Sequence, residues 1–305
     1  MNNYKQKKMK NQDLIKFIIN HVSDKNLENI WNCGTFLNFF ATEDLEKKKI
    51  NKSNFCKNRF CPMCSWRQAK KDALKISILL KYIKAEFGLE FIFLTLTAPN
   101  VKGAELNDEI KRYNKAFSRL MKRKEVSKIA KGTVRKLEVT YNQERDDYHP
   151  HFHVMIAVNK SYFKKKDYIS KKKWLELWQE AMQDTSITQV DIRRMDTDDK
   201  GSICEIAKYG AKDADYMVSQ EVFDTFYKAL KGKQLITYSG AFKEALKLFN
   251  DGTLDKYKEL DLNKYVYELC YQWGNKEYAL MEKRELTDEE RRKINKALIE
   301  EMEVE

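Results

Sequence analysis

Apolar positions along the chain follow two periods, and the change from one to the other marks its elements. Ala73, Ile76, Leu79, Leu80, Ile83 and Phe87 return every three or four residues and stop at Gly88, which predicts a helix over 68–88. Phe91-Ile92-Phe93-Leu94-Thr95-Leu96-Thr97 then reads as a near-continuous apolar strand, ended by Ala98-Pro99-Asn100; that character suits an interior place in a sheet. A basic helix follows over about 105–124, with Lys111, Arg112, Lys115, Arg119, Lys122, Arg123 and Lys124. Residues 134–141 alternate, Arg135, Leu137, Val139 and Tyr141 on one side and Lys136, Glu138 and Thr140 on the other. A helix through Trp174, Leu177, Trp178 and Ala181 is predicted over 171–183. Residues 188–194 form another alternating strand, Val190 and Ile192 inward, Gln189, Asp191 and Arg193 outward.

The ends of the chain are less patterned. A short helix is expected over 13–21, a strand over 234–240, and helices beyond 241. There Thr287-Asp288-Glu289-Glu290 has the form of a capping box before a charged helix, with Ile294, Leu298 and Met302 on one side. Together these elements predict an α+β fold, its sheet having one apolar face covered by helices and one polar face left open for chemistry.

The polar face gathers unusual residues. His149-Pro150-His151-Phe152-His153 holds three of the four histidines, at the start of an apolar run to Val158. On a strand His151 and His153 share a face, while Phe152, Val154, Ile156 and Val158 point into a core. Two imidazoles so placed are ready ligands for a metal ion. If residues 142–148 turn the chain, the strand pairs with 134–141 as a hairpin and Glu138 lies near His153 on the histidine face.

Composition narrows the setting. The net charge of +12, sixteen tyrosines and five tryptophans favour a polyanionic partner with bases to stack, single-stranded nucleic acid first. No apolar run approaches a membrane span and the polar start is no signal peptide, so a cytoplasmic protein with reduced thiols is expected. The cysteines then suit a metal. Cys56, Cys61 and Cys64 are separated by four and two residues, with Cys33-Gly34 upstream. Four thiolates would close a tetrahedral zinc shell, a structural site; an iron–sulfur cluster would use the same ligands, and Cys33 is the least determined member. Cys204 and Cys270 are expected as core residues in helical surroundings.

On one continuous helix, Glu205, Tyr209, Lys212 and Tyr216 fall at i, i+4, i+7 and i+11, a single stripe. Beside a metal-ready histidine pair, a carboxylate, a phenol and an ammonium suit phosphodiester cleavage by a covalent route, with the phenolate as nucleophile and the carboxylate activating water later. A plain solvated helix face with an ion pair is the bland alternative.

Four segments carry a resemblance: Phe93-Leu94-Thr95-Leu96-Thr97-Ala98-Pro99-Asn100, His149-Pro150-His151-Phe152-His153-Val154, Glu205-Ile206-Ala207-Lys208-Tyr209-Gly210-Ala211-Lys212, and the cysteine segment. In this order the chain resembles the plasmid rolling-circle replication initiators (Rep proteins) of Gram-positive bacteria, members of the HUH endonuclease superfamily. The resemblance implies a central antiparallel sheet with helices on one face, Tyr209 as nucleophile, Glu205 directing water at termination, and His151 and His153 binding Mn2+ or Mg2+. A third ligand is implied, Glu138 by the hairpin or His149; Tyr216 is a second phenol. Plasmid origin DNA, single-stranded or extruded as a hairpin, is the implied substrate, and a host helicase and replication polymerase the implied partners. The expected division is a zinc-binding module over 1–75, a nicking and joining domain over 76–240 and a helical segment over 241–305. A relaxase or transposase of the same superfamily, or a non-catalytic zinc-containing DNA-binding regulator, are the rival readings. Candidate DNA readers are the basic helix over 111–124, the zinc module, Arg193 and Arg194.

Overall fold

A computed structural model describes residues 1–164, 167–208 and 210–304. Among the described residues the strands are β1 (Phe36–Thr42), β2 (Lys48–Ser53), β3 (Glu90–Leu96), β4 (Ala130–Asn142), β5 (Asp147–Val158), β6 (Val190–Met195), β7 (Ile236–Gly240), β8 (Tyr265–Gly274) and β9 (Glu277–Glu285). The chain divides into two compact units: residues 1–71 with 258–302, and residues 72–257 with 303–305. No helix is long and apolar enough to cross a membrane, among the described residues.

The first unit is built on an antiparallel sheet in the order β2-β1-β8-β9. The expected C-terminal helices are therefore corrected: after the helix Ala241–Asn250, the described residues supply a 3-10 turn at Thr253–Tyr257, the hairpin β8–β9 and a short helix, Asp288–Ile294. That helix opens with the predicted capping box, Thr287 and Glu290 each bonding the other's backbone N–H, but it ends before Leu298 and Met302. Near the start, the single short helix expected over 13–21 is a longer one, Asn2–Ile18, followed by a second, Asp24–Trp31. Leu14, Ile18, Ile30, Leu37, Phe39 and Met63 are buried together, and Tyr4 packs edge-on to Phe39 and Trp66.

In the second unit five antiparallel strands run β6-β3-β5-β4-β7. The histidine strand β5 is central, and β3 is paired on both sides, as its apolar run requires. One face packs on the helices Leu106–Lys122 and Lys171–Met182: Tyr113 and Phe117 meet Phe152 edge-on at 5.3 and 5.8 Å, and the Trp178 indole donates to the Thr97 carbonyl at 2.7 Å. The histidine face is not open throughout, which corrects the one-sided layering. Phe91, Phe93, Met155 and Ala157 lie on it and are fully buried, with Phe242 of the helix Ala241–Asn250 against Phe91. The cause is compositional: only the half of this face holding His149, His151 and His153 is polar. Gly240 sits at φ +51°, with its Cα side so close to the Lys131 carbonyl that a Cβ would stand 2.3 Å from that oxygen, so glycine is required where β7 meets the start of β4.

Candidate metal centre and its neighbours

Antiparallel pairing sets the site. Glu138 on β4 stands opposite His151 on β5, Lys136 opposite His153, and His153 opposite Thr95 on β3. The expected hairpin thus places Glu138 on the histidine face. One Glu138 carboxylate oxygen lies 3.3 Å from His153 Nε2 and 3.8 Å from His151 Nε2. The three ligand atoms fall within 4.8 Å of one another, a group that could hold a metal ion. The other ring nitrogens are engaged. His151 Nδ1 meets the His149 carbonyl at 3.2 Å, and His153 Nδ1 meets a Glu205 carboxylate oxygen at 3.0 Å. These partners engage both Nδ1 atoms and leave both Nε2 atoms turned toward Glu138, the side from which a metal ion would be held.

Electrostatics agree. Burial, with the neighbouring imidazole, pulls His151 down to about 4, so its ring is neutral at pH 7. Burial pushes the Glu138 carboxyl up, but the His153 hydrogen bond, the Lys136 ammonium and the imidazoles outweigh it and bring it to about 2. A carboxylate and two imidazole rings form a mixed N/O donor set suited to Mn2+, and with more water to Mg2+. Lys136, fully buried, sits 3.9 Å from Glu138 and donates to the Glu205 carbonyl at 3.3 Å; burial lowers it to about 8.

Glu205 stands on the helix Lys200–Ala207, whose N-cap Asp199 accepts from the Ser202 amide. Its second oxygen accepts from the Arg193 guanidinium at 2.8 Å; Arg193 also donates to Ser202 at 3.1 Å and stacks over Phe93 at 4.1 Å. Arg193 and Arg194 point to opposite faces, Arg194 pairing with Glu90. The basic helix lies on the face away from the histidines, and two of its arginines are occupied there: Arg112 with Glu109 and Asp184, Arg119 with the Ala181 carbonyl. Sequence reasoning named Arg193 only as a candidate DNA reader and missed both it and Lys136 as neighbours of the histidine group. The signal was present, since both alternate onto the histidine side of their strands.

The single tyrosine-bearing helix is corrected. The helix ends at Ala207, Lys208 adopts ψ 174°, and a separate turn, Asp213–Tyr216, follows, so Glu205, Lys212 and Tyr216 do not form one stripe. Tyr209 lies outside the described residues. Gly210, next in the chain, accepts from the Val139 amide at 2.8 Å, one residue from Glu138. Lys212 is exposed at the start of the short turn. Tyr216 is buried, edge-on to Phe223 and Phe226. His149 is not one of the three grouped ligands; its ring stacks on His151 at 5.1 Å.

In the first unit Cys33, Cys56, Cys61 and Cys64 converge, with sulfur separations of 3.5, 3.6 and 3.7 Å. Tetrahedral zinc with Zn–S bonds near 2.3 Å would set its sulfurs roughly 3.8 Å apart, so the set fits. Hydrogen bonds from the Cys33 thiol and the other two, and from the Lys57 amide, hold Cys64 toward thiolate. Gly34 turns at φ +70°, where a Cβ would collide with Met63. The fully buried Lys8 donates to the Trp31 and Cys33 carbonyls at 2.6 and 2.8 Å, and Asn11 donates to Cys61 Sγ at 3.4 Å. A divalent ion with four thiolates carries about −2, which one buried ammonium offsets in part. Cys270 lies on β8, not on a helix, and accepts from Asn38; Cys204 is half-buried on its helix.

Comparison with known proteins places the chain. Residues 47–281 match the family model described as Replication protein. The chain is 51% identical over 221 residues to the Protein rep of Staphylococcus aureus, covering 72% of this chain and 96% of that protein. It is 34% identical over 289 residues to the Protein rep of Bacillus amyloliquefaciens, 84% and 85% of the two chains, and 38% identical over 228 residues to that of Streptococcus pneumoniae, 72% and 71%. No solved structure matches. The chain belongs to the Rep replication proteins, plasmid replication initiators of Gram-positive bacteria.

Proposed function

We propose that this Rep protein is an HUH-type endonuclease that nicks and rejoins one strand of plasmid DNA at the origin, starting rolling-circle replication through a covalent 5′-phosphotyrosine. The observation that carries the reading is the convergence of Glu138, His151 and His153 on one sheet face, with Glu205 against His153. An Mn2+ or Mg2+ ion held by these three would supply charge stabilisation for the scissile phosphate.

The chain's own groups do the rest. The Tyr209 phenolate oxygen bonds to phosphorus, the bond to the 3′ oxygen breaks, and that oxygen takes a proton to become a free 3′ hydroxyl. The 5′ phosphate stays on Tyr209, and Lys212 supplies positive charge for it. At termination the Glu205 carboxylate accepts a proton from water, whose oxygen displaces the phenol. Host helicase and polymerase act at the exposed 3′ end. Cys33, Cys56, Cys61 and Cys64 hold a structural zinc.

The test is incubation of the protein with supercoiled origin plasmid and Mn2+. Open circles with protein attached at the 5′ end are expected, and Tyr209→Phe should bind the DNA without forming the adduct. Nicking with no attached protein, or an adduct persisting in Tyr209→Phe, would remove the phosphotyrosine route.

A further inference from the structure

Beside the metal-ready group lies a separate cavity of about 460 Å3, at the end of the sheet where β3 and β4 finish and β5 begins. The β3 exit Thr97–Asn100, the β4 end at Thr140–Asn142, and the segment 186–189 ahead of β6 form its walls. His149 is one wall, and this ring connects the cavity to the site: it stacks on His151 at 26° between planes. The His149 ring has no place among the grouped metal ligands, so the histidine motif has a third member without a role in that group.

The chemistry of the walls selects a ligand. Thr140, Asn142, Thr188 and Gln189 offer neutral hydroxyl and amide groups that both donate and accept. The cation on the wall, Arg145, is paired with Asp147 at 2.9 Å, and Asn100 bonds the same carboxylate at 2.7 Å. A phosphate would find little net charge there. A planar, neutral group with several hydrogen-bonding edges would find an imidazole wall and amides to read it. The volume lies in the lower range of small-molecule pockets, room for one nucleoside.

We propose that this cavity receives the base of a nucleotide immediately beside the scissile phosphate, unstacked from its neighbours, so that base identity is read next to the metal group. The proposal rests on the nicking reading above. Pulling one base out of a single strand costs little compared with a duplex, and stacking on a ring with amide contacts recovers that cost. It makes His149 and the 186–189 segment specificity determinants, the latter by Ser186, Thr188 and Gln189, which are exposed and need no change in the sheet.

The test uses the full chain without divalent ion and a fluorescent single-stranded origin oligonucleotide, with an abasic nucleotide placed at each position in turn. Binding is read by anisotropy for the unaltered protein, for Thr188→Trp, which fills the cavity, and for Gln189→Ala, which removes an amide. One position beside the nick should lose roughly tenfold in affinity when abasic. That loss should vanish in Thr188→Trp and shrink in Gln189→Ala. If the abasic loss is the same in all three proteins, or no single position shows it, the cavity is not a base site. Nicking of the intact oligonucleotide with Mn2+ is measured alongside: activity with an insensitive cavity sinks this proposal alone. Absence of any nicking sinks the endonuclease reading as well.

Discussion

Glu205 meets His153 Nδ1 with one oxygen and Arg193 with the other, and the pairing gives the carboxylate a task before any termination step. A carboxylate on the distal nitrogen of a ligating histidine fixes its tautomer and its angle; losing such a partner costs on the order of tenfold to a hundredfold in metal affinity. Glu205→Ala should therefore weaken Mn2+ binding by about tenfold in a metal titration, besides slowing release of the protein–DNA adduct. Unaltered Mn2+ affinity would detach Glu205 from the histidine and leave it a water-directing residue alone. Arg193→Met, which keeps bulk over Phe93 but drops the guanidinium, should give a smaller loss of the same kind; an increase in Mn2+ affinity would contradict the orienting role. Much of this group was legible in the sequence. Strand parity alone aligns His151 with His153, and a short hairpin turn puts Glu138 across from them. The partners of Glu205 were not legible, because they depend on how the helix Lys200–Ala207 is laid against the sheet, which no local period encodes.

The segment after Glu205 shows where helical spacing misleads. Residues four apart face one way only while the helix lasts, and here Gly210 leaves the helix to bond the edge of β4, where a Cβ would stand 2.5 Å from Leu235. The stripe through Tyr216 therefore dissolves, and Tyr216 packs with Phe223 and Phe226 instead. Tyr216→Phe should leave adduct formation intact, while Tyr216→Ala should cost about 3–5 kcal/mol in denaturant unfolding, the usual cost of removing a buried aromatic ring. Loss of the adduct in a stably folded Tyr216→Phe would restore this phenol to the chemistry. The sheets contrast in the same way. The interior strands β3 and β5 were readable from their apolar runs, because burial on both faces leaves its mark in composition. Strand β9, Glu277–Glu285, is exposed along most of its length and highly charged, so it carries no alternation to read, and β1 pairs with β8 more than two hundred residues away.

The first unit joins the two ends of the chain: β1 is hydrogen-bonded to β2 on one side and to β8 on the other, and β8 in turn to β9. Within it the four cysteines come from the turn before β1, the stretch after β2 and the start of the helix Pro62–Phe87, so a metal there ties together pieces that neighbour both flanks of β1. A structural zinc contributes to folding directly, and without it the four sulfurs are left close together beside the buried Lys8. Cys61→Ser removes the one cluster cysteine that also accepts from Asn11, and both changes act on the same core. The variant should bind less zinc and lose several kcal/mol of stability. Hydrogen exchange should locate that loss: because the sheet is shared, protection should fall in residues 258–302 as well as in 1–71, although no cysteine of the cluster lies in the later segment. If protection falls only around residues 33–64, the cluster braces a local loop and the sheet stands without it. If exchange and zinc content are both unaltered, the cysteines are ordinary core residues and the metal assignment is withdrawn.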